Sequence, residues 1–184
     1  MNTTDSDSYR NKKAFFDQVL TVYGRKPVLE ALQDSRLKCY RLHLAESNKS
    51  APIIDQITSL AEQRGAEVLF HDKRALSRIS RNGKQDQGVA ADILCPEFTS
   101  AEDFLKANET VDSLRLLALD CITNPANIGM IVRSAVAGGI DGILWARKGN
   151  AELGPLVIKA SAGTLYRAPM VVCEELLPTL TEFQ

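Results

Sequence analysis

Alternating strand and helix patterns predict an α/β protein of two units, the first a small sandwich on a mostly parallel or mixed sheet. Short apolar runs suited to strands alternate with segments whose apolar residues recur at helical spacing. A stretch rich in Pro, Thr, Ser and acids, Pro96 to Ser113, interrupts that pattern and marks a boundary. The run that restarts it, Leu114 to Leu119, is nearly continuous in apolar residues, as in a strand covered on both faces. The expected organisation is a polar arm over 1–18, a first unit over 19–96, a linker over 97–112 and a second unit over 113–184.

The arm carries charge without a sustained apolar period, the pattern of a flexible segment. Val28, Leu29 and Leu32 set a short helix over Lys26–Gln33, with Pro27 tolerated in its first turn. Tyr40, Leu42 and Leu44 alternate over Cys39–Ala45 as in a half-buried strand. Ile53, Ile54, Ile57, Leu60 and Ala61 mark a helix over Pro52–Gln63 that Gly65 stops. A strand over Glu67–Phe70, a short helix from Asp72 and a strand over Val89–Leu94 complete the first unit. A helical turn is expected at Ala101–Lys106. In the second unit Cys121–Asn127 reads as a turn, Ile128–Ala137 as a helix and Gly142–Ala146 as a buried strand.

The chain has 184 residues, 45% of them hydrophobic, with a net charge of -1. That supports real cores and is not the basic balance of many non-specific nucleic-acid binders. Local charge differs: between His71 and Gly88 stand Lys73, Arg74, Arg78, Arg81 and Lys84 against Asp72 and Asp86. The pattern suits phosphate contacts and equally a solvated helix face. Cys39, Cys95, Cys121 and Cys173 lie far apart without C-x-x-C spacing and read as free, mostly buried thiols; with only His43 and His71 available, no metal is expected. No run approaches the roughly 20 apolar residues of a membrane helix, and Met1 to Lys13 is polar. A soluble, cytoplasmic protein without a membrane partner is expected.

Leu117 to Trp145 reads strand, polar turn, helix, strand. Ile128, Ile131, Val132, Ala135 and Val136 define the core stripe of the helix, and Arg133 points away from it, roughly 140° from its centre. Asn127 sits at the expected helix start, where it caps free backbone donors or takes part in chemistry. Arg133 forms a surface ion pair or serves a site. Further on, VIKASAGTL, Val157 to Leu165, either ends a core helix or turns from helix to strand beside a site. In the second case Gly163 allows close backbone approach and Lys159 or Ser161 touches a ligand.

The pattern D-x-x-x-N-P-x-N-x-G-x-x-x-R-x-A over Asp120 to Ala135, followed by KASAGTLYRAP from Lys159, resembles the signatures of the SpoU/TrmH family of RNA ribose methyltransferases. YGRKPVLEAL, Tyr23 to Leu32, and DQGVAADI, Asp86 to Ile93, resemble that family's RNA substrate-binding domain. The resemblance covers about residues 22 to 170. It departs at Asn124, where the family usually has Asp, and at Thr164, where it often has Ala.

The resemblance implies a small ribosomal-protein-like α/β RNA-binding domain followed by the N-terminal half of a SPOUT-type, trefoil-knot α/β methyltransferase domain. It implies methyl transfer from S-adenosylmethionine to a ribose 2'-hydroxyl of rRNA or tRNA. Arg133 would activate the hydroxyl or clamp the adjacent phosphate, and Asn127 would position it. Arg25, Lys73, Arg74, Arg78, Arg81, Lys84, Lys159 and Ser161 would face RNA. The family's later motifs, a G-x-E-like turn and an S-L-N-V-like segment, do not occur before Gln184, so the cofactor-binding segment is expected beyond it. A homodimer is expected where the knot is complete. The alternatives are a catalytically inactive, truncated RNA-binding module and an interaction protein.

Overall fold

The structure, a computed structural model, describes residues 15–183. Most of the expected arm, residues 1–14, lies outside the described residues. The chain forms two compact units, and the first is an insertion in the second: residues 20–94 form one, while residues up to Val19 join those from Cys95 onward in the other. Within the second unit the carbonyl of Gln18 accepts from the amide of Cys95 at 2.7 Å, which brings the departing and returning chain together. End-to-end domains were the expectation; a hydrogen bond between residues so far apart leaves no local signal.

In the first unit the strands are β1 (Val19–Tyr23), β2 (Lys38–Ala45), β3 (Glu67–His71) and β4 (Val89–Leu94), and the helices are α1 (Arg25–Gln33), α2 (Pro52–Gln63) and α3 (Lys73–Ser80). The strands lie in the order β1-β4-β2-β3, with β2 parallel to β3 and antiparallel to β4. The sheet is therefore mixed. Alternation sends Leu42 and Leu44 to one face and His43 and Ala45 to the other. Leu76 of α3 packs with Ala45 and Ala90 on the second face. Val28 and Leu32 of α1 and Ile54 and Ile57 of α2 are buried and supply the apolar side of their helices. Asp72 starts α3 by accepting from the amide of Ala75 at 2.8 Å.

The second unit is a four-stranded parallel sheet of β5 (Thr99–Ser100), β6 (Leu116–Leu119), β7 (Gly142–Ala146) and β8 (Met170–Cys173), ordered β5-β8-β7-β6. Its helices are α4 (Ala101–Ala107), α5 (Pro125–Ala137), α6 (Pro155–Ala160) and α7 (Leu176–Glu182), with a 3-10 turn over Thr164–Arg167. The β6-α5-β7-α6-β8 succession is the crossover pattern that parallel strands require. Leu144, Ala146, Val171 and Cys173 line one side of the sheet with Ala101 and Phe104 of α4 and, partly buried, Leu176 and Leu180 of α7.

Two expectations are corrected here. Residues 97–112 are not a linker, because β5 and α4 belong to the second unit and bury Ala101 and Phe104 in its core. Their polar character has a local cause: Ser100 caps α4 by accepting from the amide of Asp103, and Glu102 and Asp103 occupy the first turn, where the helix dipole favours acids. The strand expected over Leu114–Leu119 is β6, and it is an edge strand of the described sheet with Ala118 exposed rather than one covered on both faces.

Candidate active site and RNA-facing surface

Parallel sheets bind ligands beyond the carboxyl ends of their strands. At that end of β6 the chain enters Asp120–Asn124, with Cys121 in the left-handed region at φ 53. Asn124, not Asn127, is the cap of α5: its side-chain oxygen accepts from the amide of Ala126 at 2.9 Å, and Pro125 follows in the first helical position. The fixed φ of proline suits that position and asparagine suits the one before it, so the helix begins earlier than its apolar stripe suggests. The correction releases Asn127. Its side chain is exposed on the first turn and has no partner among the described residues.

Arg133 is likewise exposed, with neither hydrogen bond nor ion pair among the described residues, so the surface-ion-pair alternative does not apply. It lies six residues beyond Asn127, about 9 Å along the axis and about 120° around it. The two side chains therefore stand on neighbouring parts of one exposed helix surface rather than one above the other. On the buried side, Gly129 lets α6 approach closely: a β-carbon there would lie 2.5 Å from that of Ala160 and 2.7 Å from the carbonyl of Val157. This contact fixes the second signature segment against the first.

Within that second segment the residues part ways. Lys159 is exposed on α6. Ser161 is fully buried; its hydroxyl donates to the carbonyl of Ile158 at 3.0 Å and accepts from the amide of Leu165 at 3.3 Å. Its observed work is to join α6 to the 3-10 turn, and it presents no surface to a ligand. Gly163 has open space where a β-carbon would stand, and its φ of 78 is the local reason for glycine there.

A residue that sequence reasoning missed organises the strand ends. The Asn150 side chain accepts from the amide of Ile122 at 2.8 Å and donates to the carbonyls of Leu119 at 2.9 Å and Ala146 at 3.0 Å, the last residues of β6 and β7. Ala151 completes the tie by donating to the carbonyl of Ile122 at 2.8 Å. The only local signal is a Gly-Asn turn after a buried strand. Beside it, Arg147 pairs with Glu174 at 3.1 Å and with Asp17 at 3.4 Å.

The thiols are poorly suited to nucleophilic chemistry. Burial pushes Cys39 and Cys95 up to about 12 and also raises Cys173. Cys121 is exposed, but its hydrogen bond to the Asp120 carboxylate raises it too. Among the described residues no group of three or more His, Cys, Asp or Glu side chains is arranged to hold a metal, and no helix is long and apolar enough to cross a membrane.

Within the first unit, Arg25, Lys73 and Lys84 line one cavity of about 700 Å³, joined by Lys26, which the sequence reading did not single out. Arg74, Arg78 and Arg81 are exposed nearby in sequence but are not among its lining residues. Arg81 caps α3 in a left-handed conformation. Arg25 is anchored twice on Gln87: its amide donates to the side-chain oxygen at 3.1 Å and its Nε to the carbonyl at 3.2 Å.

Residues 21–98 match the family description of RNA 2'-O ribose methyltransferase substrate-binding domains, and residues 114–184 match that of the SpoU rRNA methylase family. The chain belongs to the SpoU/TrmH family. A Bacillus subtilis protein provisionally named TrmH family tRNA/rRNA methyltransferase YacO is 30% identical over 164 residues, covering 89% of this chain and 64% of the relative. A tRNA/rRNA methyltransferase of Mycolicibacterium vanbaalenii, uncharacterized by name, is 30% identical over 175 residues, covering 95% of this chain and 54% of the relative. The chain thus spans between half and two thirds of the length of these curated relatives. Among solved structures, the SpoU methyltransferase AviRb of Streptomyces viridochromogenes in complex with AdoMet gives a TM-score of 0.48 at 19% identity, over 90% of this chain and 58% of that one.

Proposed function

We propose that this chain carries the RNA-binding domain and the leading part of the methyltransferase domain of an enzyme that methylates a ribose 2'-hydroxyl of rRNA or tRNA, with S-adenosylmethionine as donor. The observation that carries the reading is the pair of partnerless polar side chains, Asn127 and Arg133, on the exposed surface of a helix that starts beyond the carboxyl end of β6. Both fall at the positions that the family resemblance marks as functional. Matches to both domains of the family favour an enzyme over a module that only binds.

S-adenosylmethionine, when bound, supplies an electrophilic methyl group. The chain frames the strand ends where a nucleoside would lie with Asp120–Thr123 and Gly149–Ala151, held together by Asn150. The work left to the described residues is orientation. A guanidinium keeps its proton at physiological pH and is a poor base, whereas its five donors suit a phosphate in a two-point grip. Arg133 accordingly clamps the phosphate next to the acceptor ribose. Asn127 would accept a hydrogen bond from the 2'-hydroxyl through its amide oxygen and so direct the hydroxyl lone pair at the methyl group, the hydroxyl proton passing to water as the O–C bond forms and the S–C bond breaks.

The experiment is methyl transfer from labelled S-adenosylmethionine to rRNA and tRNA by the full-length gene product and its Arg133→Ala and Arg133→Lys variants. A clamp predicts that alanine abolishes transfer and also weakens RNA binding with a smaller salt dependence. Undiminished transfer by the alanine variant would overturn the assignment.

A further inference from the structure

We infer that the cavity of the first unit takes one unstacked nucleotide of the RNA; this rests on the RNA-binding reading above and specifies what kind of RNA is read. Its volume, about 700 Å³, is within the range of about 300–1,000 Å³ typical of small-ligand pockets. Four cations from three separate segments converge on it: Arg25 and Lys26 at the start of α1, Lys73 at the start of α3, and Lys84 in the loop that follows α3. The one acid among the described lining residues, Asp86, is buried and consumed, accepting from the hydroxyl of Ser80 at 2.9 Å and the amide of Gly88 at 3.0 Å. The site is left strongly cationic, which suits a phosphate diester.

Two amides in the lining are half used. Asn48 donates its nitrogen to the carbonyl of Gly88 at 2.8 Å, leaving its oxygen without a partner among the described residues. Gln87 accepts through its side-chain oxygen from the amide of Arg25, leaving its nitrogen without one. One acceptor and one donor beside a cationic rim are the complement of a base edge next to its phosphate. Ala45, Ile53 and Leu76 supply apolar surface, and no aromatic ring is among the described residues that line the cavity, so recognition proceeds through the base edge rather than through stacking.

The wall is preformed. Gln87 and Gly88 are both left-handed, at φ 52 and 78, and a β-carbon on Gly88 would collide with the Asn48 amide. An A-form duplex keeps its bases stacked and offers proteins mainly backbone and a shallow groove, so it cannot fill such a concavity; a base in a loop or bulge can.

The test compares two fluorescent RNAs that share a stem, one closed by a wide uridine loop and one a blunt duplex, by anisotropy with the 184-residue chain. The loop RNA is expected to bind at least about tenfold more tightly, the worth of one or two hydrogen bonds to a base. Ser47→Trp, an exposed lining position, should bring its affinity down to that of the duplex. Lys26→Ala with Lys84→Ala should abolish the preference and shrink the salt slope by about 1.4. Equal affinity for the two RNAs, or a preference that survives either variant, overturns the nucleotide pocket while leaving RNA binding intact. Binding of neither RNA overturns both readings.

Discussion

Nδ1 of His43 lies 3.0 Å from Nε2 of His71, and the other ring nitrogen of His43 lies 3.1 Å from the Asp92 carboxylate. Thr21 donates to the second oxygen of that carboxylate at 2.7 Å, so four polar side chains from the four strands of the first sheet form one network. His43 can donate to Asp92 through one ring nitrogen and accept from His71 through the other.

This arrangement predicts acid sensitivity. Desolvation, and then the neighbouring His43, hold His71 below the ordinary histidine range, while Asp72 and Glu46 pull the other way without prevailing. An unfolded chain takes up the proton at about 6.5. The stability associated with neutral His71 is therefore complete above that pH and is lost as pH falls through the lower folded-state value. Asp72, held below its usual range chiefly by the amide of Ala75, titrates at lower pH still. Urea midpoints measured between pH 7.5 and 5 should fall, and His71→Gln, which keeps a donor for His43, should flatten that fall.

The reassigned cap separates stability from activity at two nearby asparagines. Asn124→Ala removes the capping bond of α5 and should cost about 1 kcal/mol. Asn127→Ala removes an exposed side chain without an intramolecular partner and should leave the urea midpoint within error, while methyl transfer collapses. A large loss of stability at Asn127 would return it to a structural role.

Gly129→Ala places a methyl group against Ala160 and the backbone of Val157 and Ser161. Alanine is the better helix former by about 1 kcal/mol, yet overpacking against backbone costs about 1–3 kcal/mol. Thermal denaturation should show net destabilisation of the second unit; a stabilised variant would mean that α5 and α6 part without penalty.

Asn150→Asp should be worse than Asn150→Ala. Alanine loses three hydrogen bonds, worth about 1.5–4.5 kcal/mol together. Aspartate keeps the acceptor for the Ile122 amide but replaces the two donated bonds with repulsion, aiming a carboxylate at the carbonyls of Leu119 and Ala146. Calorimetric unfolding should rank the variants in that order.

Legibility from sequence followed the range of the forces concerned. Pro52–Gln63, Val89–Leu94 and Gly142–Ala146 were readable to the residue, because each is a periodic or wholly apolar segment between turn signals. Strand β1 was missed, since Val19–Tyr23 follows directly on the polar start with no turn to announce it, and β5 is only two residues long. The edge position of β6 escaped because an apolar run does not tell how many neighbours a strand has. Arg133 was legible as a residue turned from the core. Lys26 and Asn150 were not, because closure with loops distant in sequence gives them their places. The cap moved from Asn127 to Asn124 because Pro125 outweighs the start of the apolar stripe.

The hydrogen bond from Cys95 to Gln18 bears on how such proteins diversify. With the chain's departure and return stitched together inside one sheet-bearing body, everything between them behaves as a cassette whose two ends coincide. A different reader could be spliced between Val19 and Cys95 while Asn127, Gly129, Arg133 and Asn150 stay on the scaffold that aligns them. Under the proposed function, target choice and chemistry can then be inherited separately.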